Sequence, residues 1–128
     1  VDAPRPAARL SATVLDTPDP IALAAFYRHL LGFETEEESP DWVELRDPRG
    51  GAGLSFQREE EHVRPVWPGR PGEQRMQTHL DVGVDDLEAA VAHAVAGGAA
   101  VAASQPQEGV RVMTDPDGHV FCLYLPGS

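Results

Sequence analysis

The sequence predicts an α+β fold built from two copies of a βαβββ module, and three observations carry that prediction. Asp47-Pro48-Arg49-Gly50 recurs 68 residues later as Asp115-Pro116-Asp117-Gly118. Each copy sits between short alternating segments, Trp42 to Arg46 and Leu54 to Gln57 in the first half, Val110 to Thr114 and Val120 to Leu125 in the second. Upstream of each lies an amphipathic helical stretch that ends at glycine, Gly32 and then Gly97-Gly98. Duplicated halves constrain topology more tightly than local propensity does.

The first strand is expected over Leu10 to Leu15. Asp19 is then placed to cap a helix, and Pro20 takes the first helical position, where its missing N–H costs nothing. Leu23, Phe26, Tyr27, Leu30 and Leu31 recur at helical spacing and form one apolar face, which Gly32 terminates. Pro at the second turn position and Gly at the fourth suit a tight turn, so Asp47 to Gly50 closes a hairpin. These elements make module one, about residues 9–58. Residues 59–75 open with Glu59-Glu60-Glu61 and carry Pro65, Pro68, Gly69, Pro71 and Gly72, a density that cannot hold regular structure and reads as a linker. Module two, about residues 76–125, repeats the plan. A strand covers Gln77 to Val82, Asp85 caps a helix with Glu88 three residues on, and Leu87, Ala90, Val91, Ala94 and Val95 form its stripe. Side by side, the modules make one domain with a single curved mixed sheet, helices on the convex face and a concave cleft.

Ten Lys and Arg against 21 Asp and Glu give a formal charge of −11, with the arginines scattered among carboxylates. That excludes the basic stripe on which nucleic-acid binding depends. No apolar run approaches the roughly 18 residues of a membrane span. The start Val1-Asp2-Ala3-Pro4 has no basic region ahead of an apolar stretch, so a cytoplasmic protein without a membrane partner is expected. Val1 is not an initiator Met, and the N-terminus is read as trimmed or incomplete. With Cys122 as its one cysteine, the chain can form neither an intrachain disulfide nor a thiolate-rich zinc site.

Strand alternation sorts the candidate site. Leu80 and Val82 should face the helices while His79 and Asp81 face the cleft. In the last strand Phe121, Leu123 and Leu125 share one face, and Val120, Cys122 and Tyr124 the other. His79 and Asp81 are the pair suited to acid–base chemistry, with Asp81 orienting the imidazole or itself moving a proton. Trp42, Trp67 and Tyr124 offer rings that can stack on a planar ligand. Cys122 reads as a small hydrophobe with nothing nearby in sequence to stabilise its thiolate. His29, His93 and His119, on exposed helix faces or beside a turn, and His62 in the linker are assigned no chemistry.

Several segments together resemble the vicinal oxygen chelate superfamily of glyoxalases, bleomycin-resistance proteins and extradiol dioxygenases. They are Asp19-Pro20 through Phe26-Tyr27-Arg28-His29-Leu30-Leu31-Gly32-Phe33, His79-Leu80-Asp81 before Val84-Asp85-Asp86-Leu87, and Asp115-Pro116-Asp117-Gly118-His119-Val120-Phe121-Cys122-Leu123. Pro65-Val66-Trp67-Pro68 followed by Gln77-Thr78-His79-Leu80-Asp81 is similar to an actinobacterial glyoxalase-like subgroup. The resemblance covers almost the whole chain and implies the two-module fold and a homodimer. It also implies metal-ligand positions on the first and last strands of each module. Those positions are Ala12 (Thr13 if the register slips by one), a place near Ser55, His79 and Cys122, of which His79 alone is filled in kind. No metal or other cofactor is therefore expected, and a divalent ion is disfavoured.

The leading expectation is a small-molecule binding protein or metal-independent enzyme whose cleft is lined by His79, Asp81, Trp42, Glu44, Ser55, Gln57, Trp67, Cys122 and Tyr124. The alternatives are a metal-dependent glyoxalase-type lyase or isomerase with a non-standard ligand set, and a structural or interaction module without a ligand. The sequence leaves open whether any reaction is catalysed.

Overall fold

A computed structural model describes residues 4–127. The first strand, β1 (Ala12–Thr17), leads into helix α1 (Pro20–Leu31). Asp19 caps that helix as its sequence predicts, its carboxylate accepting the Ala22 N–H at 3.1 Å. At the other end Gly32 adopts φ 72°, a left-handed conformation that glycine reaches without a Cβ clash, and its N–H returns to the Arg28 carbonyl at 2.9 Å. Three strands complete module one: β2 (Glu34–Glu38), β3 (Trp42–Arg46) and β4 (Gly53–Arg58). Module two repeats the series as β5 (Leu80–Gly83), α2 (Leu87–Ala96), β6 (Ala100–Val101), β7 (Val110–Thr114) and β8 (Val120–Tyr124).

Each module forms a four-stranded mixed sheet of matching topology, β1-β4-β3-β2 and β5-β8-β7-β6, in which the first and last strands pair in parallel. The α+β architecture is therefore the one expected. Hydrogen bonding stops at the edges of β1 and β5, so the curved surface consists of two sheets and does not close into a barrel.

Several boundaries differ from the sequence reading: β4 runs one residue further at each end than Leu54 to Gln57, β8 stops at Tyr124 rather than Leu125, and three others have a visible cause. β1 starts two residues late, because its ladder begins where Ala12 meets Gly53, and Leu10 is left 75% exposed with no partner strand. β5 starts at Leu80 rather than Gln77, since its ladder to β8 opens with Leu80 opposite Phe121. The second helix is capped by Asp86, not Asp85, with the Asp86 carboxylate accepting the Ala89 N–H at 3.1 Å. Two adjacent aspartates offer the same chemistry, and the register of the helix on its sheet selects between them.

One core joins the modules. Phe26 and Tyr27 on α1 meet edge to face at 4.9 Å, Tyr27 stacks on Phe56 of β4 at 5.7 Å, and Phe26 reaches Phe121 of β8 at 5.9 Å. Tyr27, Phe56 and Phe121 are fully buried, each contributing on the order of 1.5–3 kcal/mol of apolar transfer. The helix C-termini meet through His29 and His93, whose rings stack at 3.8 Å while each ring nitrogen donates to the other residue's carbonyl at 2.6 and 2.7 Å. Gly97 makes room for this pair, since a Cβ there would lie 2.4 Å from the His29 ring. Residues 59–79 hold no helix or strand, and the linker is tied down by Glu59 N–H to the Thr17 carbonyl and Arg64 to the Pro116 carbonyl. No helix among the described residues is long and apolar enough to cross a membrane.

Candidate functional site

His79 immediately precedes β5 and Asp81 lies within it, so alternation puts both side chains on the face turned away from the core. Leu80 and Val82, between and beyond them, pack against the core. The His79 ring meets Asp81 at 3.1 Å through Nε2; a carboxylate only accepts, so Nε2 carries the hydrogen. Cys122 on β8 is the register partner of Asp81, which brings the imidazole, carboxylate and thiol donors within 4.8 Å of one another. Burial first, then the Asp81 charge, push the Cys122 thiol up from its ordinary value, so the free sulfur stays protonated. Tyr124, two residues further along β8, lies beside Gly83, where a Cβ would approach its ring to 3.5 Å.

His79 also forms part of the wall of a cavity of about 530 Å³ between β1, β5 and the linker. Val14, Leu15, Met76, Leu80 and Val120 form the apolar part of its wall, and the larger number of its lining residues is polar, with Asp16, Glu59, Glu61, His62, Arg75 and His119 among the charged or titratable groups.

His119 carries an electrostatic arrangement that the sequence reading missed. Its Nδ1 lies 2.8 Å from Asp115, a carboxylate that is 1% exposed and also accepts the Tyr27 hydroxyl at 2.7 Å. The backbone N–H groups of Asp117 and His119 complete that carboxylate's partners at 2.9 and 3.0 Å. Burial lowers the His119 pKa, but the Asp115 hydrogen bond and charge, aided by Asp117, outweigh it and hold the imidazole above its ordinary value. Burial and the Asp115 charge likewise push the Tyr27 hydroxyl well up, which keeps it a donor. His62 stacks on His119 at 4.8 Å, with Nε2 2.9 Å from the Asp117 carbonyl, and so fastens the linker over this end of the cavity.

The one available signal was the spacing Asp115-x-x-x-His119 around a turn that had already been recognised. In the other copy of the repeat the equivalent aspartate, Asp47, holds the Arg49 N–H at 2.9 Å near the surface, and Gly51 stands where His119 would be. Local sequence could not reveal that Tyr27, 88 residues away, would complete the second copy.

The remaining candidates gather elsewhere. Trp42, Glu44 and Ser55 line a second cavity of about 500 Å³ on the face of the first sheet turned away from α1, with Trp42 Nε1 donating to Glu44 at 2.7 Å. Gln57 is the register partner of Trp42, and Glu44 of Ser55. Trp67 lies in the linker, away from the walls of both cavities. Val14 of β1 lines both cavities, so the two adjoin along that strand. Of the four positions at which a family metal centre would take its ligands, Ala12 has no donor and Ser55 only a hydroxyl, 4% exposed, so the first module does not fit such a centre.

Comparison with known proteins agrees with this architecture. A family model described as a glyoxalase-like domain matches residues 12–124. A glyoxalase/bleomycin resistance protein/dioxygenase family enzyme from Burkholderia phytofirmans PsJN superposes with a TM-score of 0.70 at 25% identity, covering 91% of this chain and 97% of the other. A glyoxalase-related enzyme from Fulvimarina pelagi gives 0.66 at 19% identity, with coverages of 91% and 87%. A bleomycin-binding protein from Streptomyces verticillus, solved with copper(II)-bleomycin, gives 0.61 at 19% identity, with coverages of 94% and 98%. No curated protein sequence matches the chain.

Proposed function

The chain belongs to the glyoxalase-like domain family, and from that premise we propose that it binds a small organic molecule in the cavity beside His79, without needing the metal centre found in enzymes of this fold. The carrying observation is the cavity itself. At about 530 Å³ it falls within the size range of ligand pockets, and its wall mixes apolar side chains with acidic, imidazole, guanidinium and amide groups, which suits an amphipathic molecule with several polar groups. The Streptomyces verticillus protein, whose structure holds copper(II)-bleomycin, supports a ligand-binding role for the fold. The first-module positions argue against a metal-dependent lyase or isomerase, because a Lewis-acid centre needs about three suitable ligands and Ala12 and Ser55 supply no imidazole or carboxylate. We also place the chain in the actinobacterial glyoxalase-like subgroup, on the Pro65-Val66-Trp67-Pro68 and Gln77 to Asp81 segments, and take a homodimer as its assembly.

Thermal-shift screening of a metabolite and antibiotic collection, with and without EDTA, tests the reading. Ligands that stabilise the protein equally in both buffers support it, and stabilisation seen only without chelator overturns the metal-free part. His79→Ala should then weaken the best ligand about fivefold for a neutral hydrogen bond, and more if either partner is charged, while leaving the melting temperature near wild type. A variant that loses stability but keeps its affinity would assign His79 a purely structural role. Sedimentation velocity decides the dimer.

A further inference from the structure

We propose that the outer face of α2, continued by the edge strand β6, is the surface on which a second copy of this chain docks about a twofold axis. The inference rests on the homodimer proposed above and supplies its face; ligand binding in the cavity beside His79 does not enter it. Of the residues of α2 only Glu88 and His93 are polar, and a helix apolar on nearly every side is normally covered on nearly every side. Within the single chain that covering is incomplete. Ala94 alone of the helix is fully buried; Leu87, Ala90 and Val91 pack against the core but stay half-buried, and Ala92, Val95 and Ala96 are exposed. The equivalent helix of module one, α1, buries Leu23, Ala24, Phe26 and Tyr27.

Charge selects the occupant. A chain with a formal charge of −11 repels its own copy wherever carboxylates face each other. Residues 89–107 contain no Asp, Glu, Lys or Arg, and they carry most of α2 and all of β6, so this face brings two copies together without that repulsion. The matching edge of the first sheet is the opposite case. There β2 presents Glu34, Glu36, Glu37 and Glu38, all exposed, and such charges keep a sheet edge from pairing. At the margin of the uncharged face lies a hollow of about 300 Å³ lined by Leu87, Glu88, Val91, Ala92 and Arg111. Its two charged groups have opposite signs, and neither has an ion-pair partner among the described residues; Arg111 donates to the backbone carbonyls of Glu108 and Val110. In a twofold contact residue i meets residue j of the other copy and j meets i, so Glu88 is set against the partner's Arg111 and Arg111 against the partner's Glu88. A second copy thus supplies by symmetry both the apolar filling and the complementary charges.

Sedimentation equilibrium of the full chain, from micromolar to near-millimolar concentration, tests this with three variants. Wild type should dimerise. Ala92→Glu places a carboxylate in the hollow at an exposed helical position and should weaken the dimer at least about tenfold, with a wild-type circular dichroism spectrum showing that the fold is kept. Glu88→Arg sets like charges together twice and should weaken it about fivefold or more, and adding Arg111→Glu to that variant should restore it, a recovery that a merely structural effect would not give. A wild type that stays monomeric overturns the homodimer and with it the second copy as occupant, leaving the face to a different protein. A dimer of wild-type strength in Ala92→Glu overturns this face alone. Ala92 is not part of the cavity beside His79, so the small-molecule screen on Ala92→Glu should return the wild-type ligands and is read separately.

Discussion

Tyr27→Phe isolates one hydroxyl in the most buried polar cluster of the molecule. The phenol lies in the core, where the ring stacks on Phe56 and meets Phe26 edge to face, and these contacts survive the substitution. Only the 2.7 Å hydrogen bond to Asp115 is lost. That acceptor is a carboxylate, 1% exposed, which solvent cannot readily reach to replace the missing donor. A hydrogen bond to a charged group contributes about 1.5–3 kcal/mol, and Asp115 keeps His119 and two backbone N–H groups, so the loss should fall in that range rather than above it. Unfolding entropy of roughly 2.1 cal/mol/K per residue, taken over the whole chain, turns this into a drop of about 5–11 °C in melting temperature. Urea titration at fixed pH, followed by tryptophan fluorescence and circular dichroism, gives the free energy, and a thermal scan gives the shift. A loss below about 0.5 kcal/mol with an unchanged m-value would refute the reasoning, since it would mean the carboxylate does not rely on the phenol.

His119 sets a pH dependence. Its folded pKa is raised, so the folded state binds that proton more tightly than the unfolded chain; this contribution is full below the ordinary imidazole value of about 6.5 and is lost as pH rises through the folded value. Stability profiles of wild type and His119→Gln should therefore converge on the alkaline side, and parallel profiles across that window would contradict the assignment. At the second helix, Asp86→Ala should cost about 1 kcal/mol in denaturant titrations and Asp85→Ala almost nothing, because only Asp86 accepts the Ala89 N–H. Gly53→Ala should be poorly tolerated, since a Cβ there would sit 2.2 Å from the Leu45 carbonyl oxygen in the adjacent strand; the readout is a lower denaturation midpoint, and a wild-type midpoint would show that β3 yields easily.

What the sequence determined by itself was everything set by neighbours along the chain. Capping by Asp19, the Pro20 start, the Gly32 stop and the two Asp-Pro-x-Gly turns are local chemistry, and the repeat multiplied their weight by fixing a common plan for both halves. Strand alternation placed His79 and Asp81 on one face for the same reason, since a period of two needs no knowledge of the partner strand. Tertiary structure decided what depends on register and on distance through space. The ladders moved the starts of β1 and β5, and packing chose Asp86 over Asp85. Pairing of β5 with β8 brought Cys122 beside Asp81, whose charge helps keep the thiol protonated. Strand pairing in the first sheet set Glu44 opposite Ser55 and Trp42 opposite Gln57, gathering those candidates around a cavity of their own beside Val14. Folding α1 against the second module joined Tyr27 to Asp115 and His119 across 88 residues, a contact whose energy comes from burial that no stretch of sequence displays.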